Sequence, residues 1–354
     1  MNARRLLARF ALASGASLAA FLLAEVVARG LGFGAVPKVV RSGQVGFRKV
    51  DDERLKFLNR PNCEFEATYA YGDGRPPLVV RGTTNAHGFR GPIVPRRRSG
   101  ARRVACIGDS YTFGEGVGDD ETWPAQLAAE LEREATTTKH EVMNCGVNSY
   151  DTRQEVRLLE TRVLPYDPDL VLLAFFLNDA AVRAEGRFAG VEFGRPSATY
   201  RFLTENALAR KVRSVSRLAD GISDRLVRHE YLVFLGESRS RLYAQDAPGW
   251  KMARDELVRA QEILAAREIP FVVILYPLLF RTGETLATHD AYEKVAAHCN
   301  VSGIRVLDLE PTFIDADVDR LRVHPADAHP NADGHALAAR AIYESLRREG
   351  LIDD

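Results

Sequence analysis

Leu170 to Phe176, read as Leu-Val-Leu-Leu-Ala-Phe-Phe, is apolar without a break. A strand with no polar face is buried on both sides, which is the condition of a parallel sheet covered by helices. The flanking sequence repeats that condition from Arg103 onward. Val104–Ile107 is a short apolar strand, Trp123–Arg133 has helical spacing, and Glu141–Cys145 is a second strand. Thr152–Val163 is a second helix, which Pro165 stops because proline cannot continue the hydrogen-bond ladder. After the Leu170 strand come a helical stretch at Trp250–Arg267, strands at Phe271–Leu275 and Ile304–Leu309, and a closing helix at Gly334–Arg347. The expectation is a three-layer α/β domain over residues 101–354 with about five parallel strands. Ala180 to about Gly249 separates the third strand from the fourth. It reads as a helical insertion, and a connection of that length in a compact domain is functional or mobile.

Two segments precede this domain. Residues 31–100 mix charge, Gly and Pro with short β-like pieces such as Pro77–Arg81, and form a small accessory region ending in the solvated linker Pro95–Gly100. Within residues 1–30, Arg4, Arg5 and Arg9 precede an apolar run from Phe10 to Ala24, which resumes after Glu25 as Val26-Val27-Ala28. The run predicts a signal anchor, retained because no A-x-A cleavage site follows it, with a transmembrane segment that approaches the roughly 20 residues a span needs. The positive-inside rule then puts the N-terminus in the cytoplasm and the catalytic domain on the extracytoplasmic side of the cytoplasmic membrane, periplasmic or at the cell surface. Cleavage followed by secretion is the alternative.

Composition excludes several classes. A chain of 354 residues that is 46% hydrophobic buries a full core, which rules out disorder. Lys+Arg and Asp+Glu both number 48, so no net field recruits nucleic acid. Cys63, Cys106, Cys145 and Cys299 include no C-x-x-C pair, which argues against a metal site, while free thiols and a disulfide are both open. Neither a metal nor an organic cofactor is implied.

In open α/β sheets ligands bind beyond the carboxyl ends of the strands. The first strand runs into Gly108-Asp109-Ser110, the second into Cys145-Gly146-Val147-Asn148-Ser149, and the third into Asn178-Asp179. A serine hydroxyl needs a base to take its proton and donors for the oxyanion that forms. With only eight histidines in the chain, the best base is His329, in Asp327-Ala328-His329-Pro330 after the fifth strand. Alternation along an extended segment puts Asp327 on the same side as His329, where it can orient the ring. The candidate oxyanion donors are the N–H groups of Ser110 and Gly146 and the amide of Asn178; Gly146 has no side chain to block a substrate oxygen.

Gly108-Asp109-Ser110, the isolated Gly146, Asn178-Asp179 and Asp327…His329-Pro330, in that order, resemble the SGNH, or GDSL, hydrolase superfamily over roughly residues 101–350. The resemblance implies a flavodoxin-like three-layer fold, a triad of Ser110, His329 and Asp327, and an oxyanion hole from Ser110, Gly146 and Asn178. Members more often place two residues between the acid and the histidine, where this chain has only Ala328; Asp333 or a backbone carbonyl is the alternative partner for His329. Asn85-Ala86-His87-Gly88-Phe89-Arg90-Gly91, with the anchor, further resembles bacterial membrane-anchored members.

The expected activity is therefore a serine esterase or acylhydrolase, acting through an acyl-enzyme on a small-molecule, glycan or lipid ester, with surface O-acetyl groups as one substrate. An O-acyltransferase using the same triad, and a non-catalytic binding or assembly protein, are the rivals. Asp179 reads as structural, and His324 and His335 as structural or exposed. Arg210, Lys211, Arg213, Arg217, Arg225 and Arg228 read as a solvated helix face, and Tyr200, Phe202, Tyr231 and Phe234 as core.

Overall fold

The computed structural model describes residues 17, 20–27, 40–42, 46–70, 76–93, 95, 100–134, 138–180, 242–282, 285–324 and 327–352. The chain divides into two compact units. The first comprises Met1–Lys38, Tyr71–Pro76 and Phe193–Leu235, and its described part is essentially the helical segment 20–27. The second comprises Val39–Ala70, Pro77–Glu192 and Gly236–Asp354.

The second unit opens with antiparallel strands. β1 (Val40–Ser42), β4 (Cys63–Ala70) and β5 (Leu78–Thr84) form one sheet in the order β1-β4-β5, and β2 (Phe47–Lys49) pairs with β3 (Phe57–Asn59). Along β5, Val80, Gly82 and Thr84 are buried while Val79, Arg81 and Thr83 are exposed, the alternation of a sheet wet on one face.

Strand and helix then alternate: β6 (Arg102–Gly108), α1 (Ser110–Phe113), α2 (Trp123–Glu134), β7 (His140–Asn144), α3 (Thr152–Leu158), β8 (Leu170–Phe175), α4 (Pro248–Ala265) and β9 (Phe271–Leu275). A two-residue pair, β10 (Arg281–Thr282) and β11 (Thr285–Leu286), precedes α5 (His289–Val301), β12 (Arg305–Asp308) and α6 (Glu310–Ile314). The antiparallel pair β13 (Arg322–His324) and β14 (Asp327–Pro330) leads into α7 (Ala332–Arg348).

β6, β7, β8, β9 and β12 form one parallel sheet in the order β12-β9-β8-β6-β7. This is the expected α/β/α fold with five parallel strands. Every residue of β8 and β9 is buried, and side-chain alternation divides the sheet between two cores. Ile107, Leu173, Val273 and Leu275 pack toward Val156 of α3, Leu257 of α4 and Tyr292 of α5. Cys106, Leu172, Ala174 and Ile274 pack toward Leu127 of α2 and Ile342 of α7. From β6 the chain goes first to β7 on one side and then to β8 on the other. The carboxyl ends of β6 and β8 therefore flank the crevice where the connections diverge, the usual ligand position in such sheets.

The single-pass anchor expected for the N-terminal run is overturned, and the extracytoplasmic placement loses the anchor it was argued from. Among the described residues no helix is long and apolar enough to cross a membrane. The described helical part of the run, 20–27, spans about 12 Å at 1.5 Å per residue against a hydrocarbon core of about 30 Å, and it contains Glu25. Residues 1–16, 18 and 19 lie outside the described residues, as do most of Pro95–Gly100 and residues 181–241. The last range holds nearly all of the expected insertion and its basic and aromatic residues.

The helix expected over Thr152–Val163 is shorter. α3 passes at Leu159–Val163 into a wider π turn and then a 3₁₀ turn at Leu164–Tyr166, where the Thr161 hydroxyl donates back to the Arg157 carbonyl at 2.7 Å. All four cysteines are free thiols.

Candidate active site

β6 turns abruptly into α1, and two residues make the turn possible. Gly108 has φ +156°, and a β-carbon there would lie 2.2 Å from Thr112 Oγ1, so a larger residue would push α1 off the strand end. Asp109 caps α1, its Oδ1 accepting from the Tyr111 N–H at 2.9 Å. Ser110 is thus the first residue of the helix, and its N–H is one of the donors a helix cannot satisfy internally.

The antiparallel β14 carries the expected base. Asp327 and His329 fall on one face of the strand, with Asp327 Oδ1 2.6 Å from His329 Nδ1 and His329 Nε2 2.8 Å from Ser110 Oγ. The tautomer that serves both contacts has Nδ1–H donating to the carboxylate and Nε2 accepting the serine hydroxyl. Asp327 is buried, and its Oδ1 also accepts the His329 main-chain N–H at 3.2 Å; Ser110 and His329 are half-buried. The single intervening residue, Ala328, therefore still allows the contact. Asp333 sits in the first turn of α7.

Tyr111 packs against this pair, a residue the sequence did not single out. Its ring lies 5.0 Å from that of His329 and stacks on Phe176 at 3.9 Å, and its hydroxyl donates to the Ala328 carbonyl at 3.2 Å. The residue bound to the tyrosine is the one between the acid and the histidine, so the contact seats β14 on α1.

The three expected oxyanion donors are disposed differently. Asn178 lies in the 3₁₀ turn Leu177–Ala180 that ends β8, and its Oδ1 is buried without a hydrogen-bond partner among the described residues. The Gly146 N–H, by contrast, donates to Asn144 Oδ1 at 3.1 Å. The space a side chain would take at Gly146 is filled by α1: a β-carbon would meet Phe113 N at 2.2 Å. The Gly146 carbonyl accepts from Asn59 Nδ2 at 3.0 Å, so the loop is tied from the N-terminal strands as well.

Around this corner Asp109, Asp151, Glu155 and Asp179 are all buried. Asp151 caps α3 through the Gln154 N–H at 3.0 Å, and Asp179 Oδ2 accepts the Phe176 N–H at 2.8 Å, the structural role expected of it. Neither oxygen of Glu155 has a hydrogen-bond partner among the described residues. Burial, then the neighbouring Asp109 and Asp151, hold the Glu155 carboxyl well above the usual range; burial, then Glu155 and Asp109, do the same for Asp179. His335 is buried with Nδ1 accepting the Trp123 N–H at 3.2 Å. Burial, then Arg90 and His329, push it down to about 3.

Residues 106–337 match the family model described as the GDSL-like Lipase/Acylhydrolase family. No curated protein matches the chain. Among solved structures, an extracellular lipase from Streptomyces rimosus is similar at 17% identity, covering 69% of this chain and 99% of that one with a TM-score of 0.40. A member of the lipolytic G-D-S-L family from Veillonella parvula DSM 2008 is similar at 16% identity, covering 70% and 100% with a TM-score of 0.40. A lipase/acylhydrolase from Enterococcus faecalis is similar at 13% identity, covering 70% and 96% with a TM-score of 0.40.

Proposed function

Because this chain belongs to the GDSL-like lipase/acylhydrolase family, and is thereby a serine hydrolase of ester bonds, we propose that Ser110, His329 and Asp327 carry its reaction through an acyl-enzyme. The observation that supports the reading is the pair of contacts at 2.6 Å and 2.8 Å linking carboxylate, imidazole and hydroxyl. Ser110 Oγ attacks the ester carbonyl carbon while His329 Nε2 takes the hydroxyl proton, and the buried Asp327 carboxylate stabilises the imidazolium. The oxyanion is received by the Ser110 N–H and the Asn178 amide. Gly146 joins them only where its N–H leaves Asn144. Collapse of the tetrahedral adduct breaks the bond to the alcohol oxygen, which departs with the proton from His329. Water then attacks the acyl-serine with His329 as base, and as the bond to Ser110 Oγ breaks His329 returns the proton to that oxygen, releasing the acid and restoring the hydroxyl.

Short acyl esters of sugar or lipid alcohols, O-acetyl groups among them, are the proposed substrates. Labelling with a serine-directed fluorophosphonate, with turnover of a p-nitrophenyl acyl ester in parallel, tests the assignment. Ser110→Ala is expected to abolish labelling and lower kcat by about 10⁴-fold or more. Unchanged labelling in that variant would refute the nucleophile.

A further inference from the structure

The turn Asn85–Gly91 stands outside the strand ends that hold the site, yet its last side chain reaches the nucleophile helix. Asn85 Oδ1 accepts from the N–H groups of His87 and Phe89 at 2.9 Å and 3.2 Å, the Asn85 N–H donates to the Phe89 carbonyl at 2.8 Å, and Gly88 takes φ +81°. This is a tight, side-chain-braced turn, and it delivers Arg90 into the interior, where its side chain is 1% exposed.

The guanidinium there has four acceptors among the described residues. Nη1 donates to the carbonyls of Phe113 at 2.7 Å and of Gly114, Nη2 to the carbonyl of Val117, and Nε to Asp119 Oδ1 at 2.8 Å. The rings of Phe113 and Phe65 flank it at 4.9 Å and 5.3 Å. Phe113 and Gly114 end the four-residue helix that begins at Ser110. The main chain of Arg90 binds the other side of the site: its N–H donates to the Asn144 carbonyl at 3.1 Å, and Asn144 in turn holds the Gly146 N–H.

We propose that Arg90 is a positioning residue for the reaction, locking the far end of the nucleophile helix to the turn after β7. The proposal rests on the reading of Ser110 as nucleophile. A single helical turn does not hold its own direction, since closing one turn is the unfavourable step of helix formation. Here the direction is set by carbonyls at the end of α1 that point into one planar, five-donor cation. Without it the Phe113 carbonyl loses its donor in the interior and the Gly114 carbonyl keeps only the Val117 N–H at 3.4 Å, and α1 is free to tilt. A tilt moves Ser110 Oγ off His329 Nε2, and displacements near 1 Å at a reacting atom cost about 100-fold in rate.

The test uses the full chain with Arg90→Gln, Arg90→Lys and Asp119→Asn, assayed on a p-nitrophenyl acyl ester, with turnover expressed per site titrated by fluorophosphonate. Expressing the rate per titrated site removes losses that come only from misfolded protein. Expected for Arg90→Gln is a kcat per titrated site lowered by about 10- to 100-fold with KM within about two-fold. Arg90→Lys retains one or two of the contacts and lies between Arg90→Gln and wild type. Asp119→Asn keeps the guanidinium but loosens its anchor, and lowers kcat by a few-fold, so a poorly folding Arg90 variant does not shield the idea. A kcat per titrated site within two-fold of wild type in Asp119→Asn and in each folded Arg90 variant, whatever the fall in melting temperature, overturns the proposal. Ser110→Ala is labelled alongside, and fluorophosphonate incorporation there would count against the nucleophile rather than against Arg90.

Discussion

Gly146 and Phe113 are in direct backbone contact: a β-carbon on the glycine would lie 2.2 Å from the phenylalanine nitrogen and 2.7 Å from its α-carbon. The neighbour is main chain at the end of the helix that begins at Ser110, which cannot rotate away as a side chain would. Gly146→Ala is therefore expected to cost about 1–3 kcal/mol of stability and to lower kcat further than the folded fraction explains. Urea unfolding and turnover of the same preparation check this. An alanine variant of wild-type stability would mean that α1 yields easily.

Asp327 meets His329 across one intervening residue. Its carboxylate is buried and bonded to the ring, so Asp327→Asn keeps the shape and removes the charge that favours the imidazolium. The expected loss in kcat is about 10²- to 10⁴-fold with KM nearly unchanged. A loss below about three-fold would mean that another group orients the histidine.

Burial, then the neighbouring Asp109 and Asp151, raise the Glu155 carboxyl well above its usual range. A raised folded pKa contributes stability that is complete below the unfolded value of about 4.5 and is lost as pH rises toward the folded one. Above pH 6.5 the protein is expected to lose up to about 1.4 kcal/mol per pH unit for each such group. Glu155→Gln, which keeps the shape without the proton, is expected to flatten that slope. Denaturant melts at pH 7 and pH 8.5 read it, and an identical slope in the variant would place the titration elsewhere.

His335 works in the opposite direction. Its folded pKa is depressed to about 3, so its contribution is complete above about 6.5 and is lost as pH falls from there toward 3. Between pH 4.5 and 6.5 the Glu155 and His335 contributions oppose one another, so stability is expected to change less steeply with pH there than above 6.5. The direct check is the His335 ring titration by NMR: a midpoint near 6 would contradict the buried, neutral ring that accepts from Trp123.

The inner strands β6, β8 and β9 were legible because burial on both faces leaves apolar runs; Phe271–Leu275 coincides with its strand. α5 was missed. Its buried face is Ala291, Tyr292, Val295 and Cys299, and alanine and cysteine beside Asp290, Glu293, Lys294 and His298 give a faint apolar stripe. In the site, Ser110, Asp327 and His329 were legible because an extended acid-x-histidine segment has only one way to place its side chains. Gly146 was read as room for a substrate oxygen, whereas a helix from another part of the chain takes that room. Asn59, Arg90 and Asn144 act through side-chain and main-chain contacts between distant segments, which leave no periodicity. A bound for Arg90 was nevertheless present: an arginine following an asparagine-braced turn with a glycine at positive φ is a side chain held in one direction. Asp151 and Glu155, charged by type, were not singled out, and both are fully buried.

The groups around Ser110 lie close to it in the chain, at Asn59, Arg90, Asp109 and Asn144, but its proposed base follows 219 residues later. At about 5–20 residues per second of synthesis, a growing chain carries the serine for roughly ten to forty seconds before His329 exists. The cradle is built first and the proton acceptor is added last. On the proposed assignment the hydroxyl stays without its base until the β13–β14 hairpin, which follows β9 and β12 in the chain, has been made.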